Sequence, residues 1–505
     1  MEKKKKVAII GAGLAGLSAG SYLARNGFDV EIFEMHNIPG GQCTSWKNGR
    51  FTFDACVHWL VGSKEGGYLN EIWKDLGALQ GLQIIDHDRY LTVQFPGGEE
   101  LTFYADPDKL EKELLSFSPQ DGAEIRKLVK TIRYMTKMKM LGPDAAFAEK
   151  SFKSLLNLVG FLIGFLPVFK WLKISAREYG ARFKNRRLGD AIANLFTPDS
   201  VMLFNLLTFA WLGQKNAGYP VGGSLVFSKN IAADCQKRGV VIRYKSRVKK
   251  ILVKESGAVA RASGVELENG KIIEADYVVS GADGRTTVEQ MLSGKYHNPR
   301  LQEAWKILPV FEPLFYISLG LNGDAGIPHS VSGNGLMLKQ PLDTGNRSID
   351  CLLLHSLSFD PTLAPKGKSV MEIMCLADFD YWNDLKNKSK ERYKKEKEKI
   401  ANKIIQTIDR DFLPGLKKKI EKIDIATPTT WVRYTGVYRG AFEGLQMTKD
   451  VMKVGLSLPK QLTGLENFYL CGQWVEVGGG LPTAAYSGKA VAAMITKAEG
   501  KGLVT

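Results

Sequence analysis

An α/β fold with a parallel, nucleotide-binding sheet is predicted by three features of the sequence. Gly11, Gly13 and Gly16 follow a short apolar run with the spacing G-x-G-x-x-G, and a helix-like segment comes next. A second strand-like run ends in Glu34. The apolar run of residues 275–283 ends in small residues, as a buried strand of such a sheet does. The order strand, glycines, helix, strand, acid predicts dinucleotide binding.

Each residue of this N-terminal motif has a physical role in that prediction. Gly11 permits the tight turn that leaves the first strand, and Gly13 lets the backbone approach a pyrophosphate at the positive end of the following helix. Gly16 allows the helix to pack closely on the strand, and Glu34 is placed to accept hydrogen bonds from ribose hydroxyls. The alternative interpretation is a tight turn in an ordinary α/β unit.

Composition indicates a folded protein of two domains in a reducing compartment. A chain of 505 residues is long for a single core. Its six cysteines form no C-x-x-C pair and its six histidines show no ligand-like spacing, so neither a disulfide framework nor a metal site is expected. Only four apolar residues follow Lys3 to Lys6, too few for a secretion signal, and a cytoplasmic location is expected.

The formal net charge of +16 calls for a partner. Nucleic acid is one interpretation, but no nucleic-acid-binding motif stands out, and none is expected as a partner. An anionic membrane surface is the other, with peripheral association of the protein.

Residues 154–169 carry no charge and are flanked by lysines. As a helix they span roughly 24 Å, short of the ~30 Å hydrocarbon core, so a transmembrane span is rejected. Pro167 would also end such a helix early. Two interpretations stay open: a buried helix that lines an apolar substrate channel, or an interfacial patch that dips into the bilayer.

The middle of the chain predicts a second, mixed α+β unit. The pattern indicates helices over 67–80, 106–142, 176–212 and 386–411, a hairpin over 83–104, and strands over 310–321, 349–357 and 369–378. Near the C-terminus a strand over 467–474 leads into a glycine loop and a helix that opens at Pro482. This second helix N-terminus is aimed at an electron-rich group.

Taken together, these blocks resemble the FAD-dependent amine-oxidase superfamily, and within it the phytoene desaturase, carotenoid isomerase and retinol saturase-like branch. The matching segments are residues 11–34, 39–42, 53–58, 219–223, 248–251, 279–283 and 471–485. The resemblance implies a Rossmann-like (GR2-type) FAD-binding domain, discontinuous in sequence, made of residues 1–70, 215–300 and 460–505. An α+β substrate domain of mixed sheet plus helices would comprise residues 71–214 and 301–459.

The resemblance also implies the FAD contacts. The pyrophosphate would lie on the first glycine loop, the adenosine ribose on Glu34, the adenine on the backbone of Val248, and the ribityl chain and flavin on two later loops. The residues implied are Gly11, Gly13, Leu14, Ala15, Gly16, Glu34, Gly41, Gln42, Val248, Gly472, Gln473, Gly480, Leu481 and Thr483.

Three departures from the family pattern qualify this expectation. Gln42 stands where arginine is frequent, and Gln473 where an acid is usual. No cysteine lies in the loop over 478–483, so FAD is expected to bind non-covalently. A single dinucleotide motif implies that no dedicated NADPH domain is present, and the electron donor or acceptor stays unassigned.

The sequence therefore predicts an FAD-dependent oxidoreductase that desaturates, saturates or isomerises carbon–carbon bonds of a long apolar isoprenoid or polyene. One alternative is a flavin-dependent double-bond isomerase of unsaturated fatty acids, or an amine oxidase. Another is a non-catalytic flavin-binding protein of the membrane surface. His58 is the acid/base candidate, with a histidine bonded to backbone or flavin as the alternative. Channel candidates, with core packing as the alternative, are Phe161, Phe165, Phe169, Leu207, Phe209, Trp211, Tyr434 and Tyr438.

Overall fold

The computed structural model describes residues 4–138, 164–257 and 259–505. The strands of these residues are β1 (Lys6–Ile10), β2 (Asp29–Phe33), β3 (Ser45–Asn48), β4 (Phe51–Asp54), β5 (Leu60–Val61), β6 (Ile84–Ile85), β7 (Arg89–Gln94), β8 (Glu100–Tyr104), β9 (Ala217–Pro220), β10 (Val241–Arg243), β11 (Val248–Ser256), β12 (Val259–Leu267), β13 (Ile272–Glu274), β14 (Tyr277–Ser280), β15 (Leu314–Asn322), β16 (Asn334–Asp343), β17 (Ser348–Ser356), β18 (Lys368–Leu376), β19 (Ile420–Ala426), β20 (Leu465–Glu466) and β21 (Phe468–Leu470).

The α-helices of the described residues surround these sheets and bury apolar side chains against them. They are α1 (Leu14–Arg25), α2 (Tyr68–Asp75), α3 (Pro107–Phe117), α4 (Gly122–Lys137), α5 (Ala176–Gly180), α6 (Arg186–Ala193), α7 (Met202–Gly213), α8 (Gly223–Lys237), α9 (Pro299–Ile307), α10 (Phe379–Lys388), α11 (Lys390–Asp411), α12 (Leu416–Lys419), α13 (Pro428–Thr435), α14 (Val451–Val454) and α15 (Leu481–Ala498).

The predicted nucleotide-binding sheet is present and parallel. Its order is β10–β2–β1–β14–β21, and every neighbouring pair runs in the same direction. The five strands come from residues 1–70, 215–300 and 460–505, the segments that the resemblance assigns to the FAD-binding domain. The α/β fold class is thereby confirmed, while the exact domain bounds stay a prediction.

A second, seven-stranded sheet has the order β19–β15–β18–β17–β16–β7–β8. Its neighbours are antiparallel except for β16 and β7, so the sheet is mixed, as predicted. The predicted hairpin contributes β7 and β8, and the three predicted strands appear as β15, β17 and β18. Smaller sheets, formed by β11–β13 with β20, by β3 and β4, and by β5, β9 and β6, complete the pairing.

Two helix predictions were wrong in their extent, for identifiable reasons. The helix predicted over 106–142 ends at Phe117, because Ser118 precedes Pro119 and adopts φ −144°, outside the helical region. The lysine-rich helix predicted over 386–411 is two helices, α10 and α11. Ser389 separates them in an extended conformation, and its side chain accepts a hydrogen bond from the backbone N–H of Arg392 as the N-cap of α11.

The two ends of the chain meet through helices α1 and α15. Gly488 makes this possible, because a Cβ there would overlap the carbonyl oxygen of Ala15 and lie 2.7 Å from the backbone nitrogen of Ala19. The Ser18 hydroxyl donates a hydrogen bond to the carbonyl of Ala485 at 2.6 Å across the same contact. The C-terminal glycine loop is therefore held against the N-terminal one.

Within the described part of the chain, no helix is long and apolar enough to cross a membrane. The apolar segment 154–169 lies outside the described residues except for its last six positions. In that remainder the Leu166 side chain is 69% exposed, close in sequence to Lys170 and Lys173.

Candidate functional site

The first glycine loop has the backbone that its spacing predicts. Gly11 adopts φ +91°, which only glycine accommodates readily, and its N–H donates to the carbonyl of Phe33 at 2.8 Å. A Cβ on Gly16 would overlap the carbonyl oxygen of Gly11, so helix α1 can begin this close to β1 only with glycine there. The turn that presents the N-terminus of α1 is thus built by glycine.

Gly13, Gly41 and Gly472 form a cradle in front of that helix N-terminus. Gly13 is the N-cap of α1 and pairs with Gly40 in an isolated bridge, which brings the second loop onto the first. A Cβ at Gly41 would lie 3.2 Å from the Cα of Gly13, and one at Gly472 would lie 3.4 Å from the Cβ of Ala15. Bare backbone at a helix N-terminus is the environment that a pyrophosphate requires, so the residues fit FAD.

Glu34 is buried at the end of β2, and its carboxylate is held from both sides. The backbone N–H of Ala12 donates to Oε2 at 2.7 Å and that of His36 to Oε1 at 2.8 Å. The carboxylate is therefore oriented next to the glycine turn. A small cavity of about 380 Å³ lies nearby and is lined by Met35, Lys245, Ser246, Arg247, Leu267, Glu268 and Asn269. Val248, next in sequence to Arg247, is buried.

A much larger cavity of about 1460 Å³ begins at the glycine cradle. It brings together sequence-predicted residues from both ends of the chain, while Gly11, Gly16, Glu34 and Val248 lie outside its wall. The predicted residues in the wall are Gly13, Leu14, Ala15, Gly41, Gln42, His58, Gly472, Gln473, Gly480, Leu481 and Thr483.

The two glutamines that depart from the family pattern contact each other. Gln473 donates from Nε2 to Oε1 of Gln42 at 2.9 Å, and Gln42 donates from its own Nε2 to the carbonyl of Ala441 at 2.8 Å. Two neutral amides therefore stand as a pair where arginine and an acid are frequent in the family. Sequence reasoning noted both departures but had no means of pairing positions so far apart in the chain.

Away from the cradle many residues of the cavity wall are apolar or aromatic, beside charged ones such as Arg177, Arg186, Asp190, Arg347 and Asp350. Of the predicted channel residues, Leu207 and Trp211 of helix α7 line it, whereas Phe209 is fully buried and packs on Tyr90 with ring centroids 5.1 Å apart. Phe165 and Phe169 pack against the hydrophobic core that contains Phe209 and Tyr90, and Phe161 lies outside the described residues. Further apolar wall residues, absent from the sequence prediction, are Trp59, Leu91, Val93, Phe196, Phe204, Phe311, Leu353, Phe442 and Met447.

The two predicted tyrosines do not line this cavity. Tyr434 is 45% exposed and packs edge-on against the ring of His36, with centroids 5.4 Å apart. Tyr438 packs against Trp474 and lies under the guanidinium of Arg285. Their contacts support packing roles outside the cavity.

Glu443 is an acid of the cavity wall that sequence reasoning missed. Its Oε2 atom is buried and has no hydrogen-bond partner among the described residues. The same atom packs so closely on Gly479 that a Cβ there would overlap it. Burial raises the pKa of Glu443 from an ordinary value of 4.5 to about 8, so the side chain is mainly protonated at neutral pH. A single acid in an irregular stretch gives no sequence signal.

His58 also lies in the cavity wall, held by the loop that follows β4. Asp54 fixes this loop: its Oδ2 accepts from the backbone N–H of Ser224 at 2.6 Å and its Oδ1 from that of Cys56 at 3.0 Å. Burial, and then the neighbouring His355, lower the pKa of His58 well below its usual range. The ring is therefore neutral at pH 7, and an acid/base role for His58 stays a prediction.

The parallel sheet, the glycine cradle and the buried acid that follows β2 together define a dinucleotide-binding protein. The chain belongs to the flavin containing amine oxidoreductase family, whose model matches residues 14–496. FAD is accordingly its cofactor.

Individual relatives and solved structures extend along nearly the whole chain. Prolycopene isomerase 1, chloroplastic, of an Oncidium hybrid cultivar is 27% identical over 502 residues, which cover 95% of this chain and 82% of that protein. The neurosporene-forming phytoene desaturase of Rhodobacter capsulatus is 26% identical, and the match covers 98% of this chain and 94% of that protein. A putrescine oxidase structure with bound putrescine has a TM-score of 0.58 and 13% sequence identity, and the match covers 98% of this chain and 99% of that one. The structure of an oxidoreductase from Methanosarcina mazei has a TM-score of 0.56 and 18% identity, and the match covers 96% of this chain and 99% of that one. The structural likeness concerns the fold.

Proposed function

We propose that this protein is an FAD-dependent oxidoreductase that desaturates, saturates or isomerises carbon–carbon bonds of a long apolar polyene. The observation that carries the proposal is the single cavity that leads from the glycine cradle into an apolar, aromatic pocket. A polyene offers no charge and no hydrogen-bonding group, so such a wall suits it. The prolycopene isomerases and phytoene desaturases among the relatives support the same substrate class.

FAD would bind without a covalent bond along the cradle. Gly11, Gly13, Leu14, Ala15 and Gly16 would hold the pyrophosphate, with Gly41, Gln42, Gly472 and Gln473 beside it and the ribityl chain. Glu34 and Val248 would hold the adenosine, and Gly480, Leu481 and Thr483 the flavin end at the N-terminus of α15. Bound FAD supplies the two-electron redox chemistry, and the protein supplies orientation and a dry pocket. The domain bounds given by the resemblance are part of this proposal.

Beside the C-terminal glycine loop, the cavity wall offers an amine little anionic attraction. An ammonium substrate needs an anionic partner in an apolar pocket. The acid of the wall nearest to the C-terminal glycine loop is Glu443, whose raised pKa of about 8 leaves it mainly neutral at pH 7. A neutral carboxyl group attracts a cation only weakly. Other acids of the cavity wall are Asp190, Asp199, Asp283, Glu312 and Asp350, of which Asp199 pairs with Arg177 and Glu312 with Arg347.

Extraction of the purified protein with organic solvent tests the substrate class. A long isoprenoid or polyene is the expected co-purifying ligand, because it buries its whole surface in the cavity and leaves it slowly. Recovery of a fatty acid or an amine instead would overturn the polyene assignment and favour one of those substrates. The protein extracted after loading with an added polyene serves as the positive control.

The raised pKa of Glu443 predicts how stability depends on pH. The folded state keeps the Glu443 proton up to about pH 8, whereas the unfolded chain releases it above an ordinary pKa of 4.5. The unfolded state therefore binds fewer protons at this group between these values, and the contribution of Glu443 to the free energy of unfolding falls as pH rises from about 5 to about 8. Asp54, whose pKa is raised to about 7 by burial and by Glu372, contributes in the same direction. The lowered pKa values of the buried His58 and His355 act in the opposite direction below about pH 6.5.

The Glu443→Gln variant stays neutral at every pH and should show a shallower fall. Denaturant unfolding of the FAD-loaded protein at a series of pH values measures this difference. Equal slopes in the wild-type protein and the variant would show that Glu443 titrates normally in the folded state.

We also propose that the protein associates with an anionic membrane surface through the end of the apolar segment. The support is the net charge of +16 and the exposed Leu166 with Lys170 and Lys173 close to it. Leu166→Asp should reduce flotation with anionic vesicles, because it removes apolar contact and adds repulsion. Leu456→Asp, at a leucine that is 49% exposed elsewhere, is the matched control. Equal flotation of both variants would refute the role of Leu166.

A further inference from the structure

Three ligand-type side chains converge behind the cavity wall, from parts of the chain far apart in sequence. His355 of β17 and Glu372 of β18 are direct cross-strand neighbours in the antiparallel register, so both side chains lie on the same face of the sheet. His58 approaches them from the loop after β4. Glu372 Oε2 lies 3.9 Å from His58 Nε2 and 3.9 Å from His355 Nδ1, and the ring centroids of the two histidines are 4.3 Å apart.

This cluster is buried and short of positive charge. The side chains of His355 and Glu372 are each 1% exposed, and within the described residues the ionisable groups that the structure places within 4.0 Å of Glu372 as ion-pair partners are the two imidazoles. At 3.9 Å neither imidazole forms a hydrogen bond with the carboxylate. His355 Nδ1 has no hydrogen-bond partner in the part of the chain that the structure describes. The Tyr316 hydroxyl is in hydrogen-bonding contact with Glu372, but an ionised carboxylate at this depth still costs free energy unless a cation joins it.

We propose that His58, His355 and Glu372 bind one divalent transition-metal ion, Zn²⁺ or Fe²⁺. The three donor atoms lie within 4.8 Å of one another, so a point equidistant from them is roughly 2.3–2.5 Å from each, close to the ~2.0–2.2 Å bonds of zinc. Two imidazole nitrogens and one carboxylate oxygen suit these ions, whereas Mg²⁺ and Ca²⁺ prefer oxygen donors alone. Small side-chain shifts complete the ligand set.

The surroundings define the kind of site. Glu372 Oε1 accepts the backbone N–H of Asp54 at 3.1 Å, and the Tyr316 hydroxyl is in hydrogen-bonding contact with the same carboxyl group. These outer contacts orient the carboxylate toward the two imidazoles. His58 alone of the three ligands borders the cavity, where its side chain is 16% exposed. Three protein ligands with one side toward a cavity are the arrangement of a metal site with an open position, not of a closed structural one.

Sequence reasoning predicted no metal site, because no two histidines have ligand-like spacing. The ligands meet only through strand pairing and the loop of His58. The proposal does not depend on the polyene assignment, since it concerns binding of an ion.

Metal analysis of the FAD-loaded protein tests the proposal. The protein is dialysed against a chelator, loaded with Zn²⁺, or with Fe²⁺ under anaerobic conditions, and desalted before elemental analysis by mass spectrometry. The expected result is one ion per chain and a raised melting temperature of the wild-type protein, because the ion binds the folded state only. Glu372→Gln and His355→Ala should bind at least about 100-fold more weakly, since each loses a direct ligand.

His297→Ala is the matched control, because the partly exposed His297 shares a hydrogen bond with Gln302 and is not part of the cluster. It should bind the ion like the wild-type protein. The FAD content of each variant shows whether it is folded. If a variant does not fold, the number of metal ions bound per wild-type chain tests the proposal by itself. Absence of stoichiometric metal in the wild-type protein, or equal binding by folded Glu372→Gln, would overturn the proposal and leave a neutral, protonated Glu372 as the explanation.

Discussion

Gly13→Val should strongly weaken FAD binding while the protein still folds. A Cβ at Gly13 meets no protein atom closer than the Cα of Gly41 at 4.0 Å, and its φ of −69° is ordinary for any residue. The valine side chain instead fills the space in front of the N-terminus of α1, where the pyrophosphate is expected. Loss of two hydrogen bonds to a charged group, about 1.5–3 kcal/mol each, weakens FAD binding about 100-fold or more.

The matched control is Gly67→Val. Gly67 is also a glycine N-cap in an extended conformation, at the start of α2, and a Cβ there meets nothing within 4 Å. It should keep FAD. Flavin absorbance after gel filtration, with circular dichroism of both variants, measures the difference. Full retention of FAD by Gly13→Val would contradict the placement of the pyrophosphate at this helix N-terminus.

A Gly16 substitution should behave differently from one at Gly13, although the two belong to the same motif. A Cβ at Gly16 would overlap a backbone carbonyl, which cannot move as a flexible side chain can. Gly16→Val should therefore lose the fold along with FAD. The contrast separates a glycine needed by the cofactor from one needed by the protein.

Leu207→Arg should remove activity on a polyene and leave FAD bound. Leu207 lines the cavity from α7, while its neighbour Leu206 faces the core and is fully buried. An arginine at position 207 puts a positive charge where the hydrocarbon chain of the substrate is expected to lie. The arginine side chain then either remains an unpaired charge in the cavity or occupies the space that the substrate needs. Because desolvating an unpaired charge costs several kcal/mol, turnover should fall about 100-fold or more.

Leu207→Met is the control for this prediction, since it keeps volume and apolar character. It should retain most of the turnover. Steady-state rates with a long polyene, together with the flavin content of each variant, measure both effects. Equal loss in the two variants would indicate that position 207 matters for packing and not for the substrate.

The flavin-binding part of the fold was predictable because its signals are local. Gly11, Gly13 and Gly16 needed only their spacing and the strand patterns on either side, and Glu34 followed from the end of the second strand. The helix boundary at Ser118 had a local signal too, since Pro119 follows it, but helical periodicity on both sides outweighed it.

The interior of the cavity could not be predicted because its residues meet through tertiary contacts. Glu443 comes from an irregular stretch and acquires its raised pKa only by burial next to Gly479. His355 and Glu372 become neighbours through the register of β17 and β18. The aromatic run beside Leu207 and Trp211 predicted an apolar channel, but Phe209 turned out to face the core, since a helix distributes consecutive residues over all its faces.

The central claim is tested most directly by anaerobic incubation of the FAD-loaded protein with a long cis-polyene. The flavin is oxidised in one sample and chemically reduced in the other. Chromatography of the extracted polyene is the measurement. We expect a product in which the number or geometry of the polyene double bonds has changed. This product should form in at least one of the two flavin states and should be absent with the Leu207→Arg variant. Recovery of the polyene unchanged in both states, with an amine consumed under the same conditions, would contradict the account.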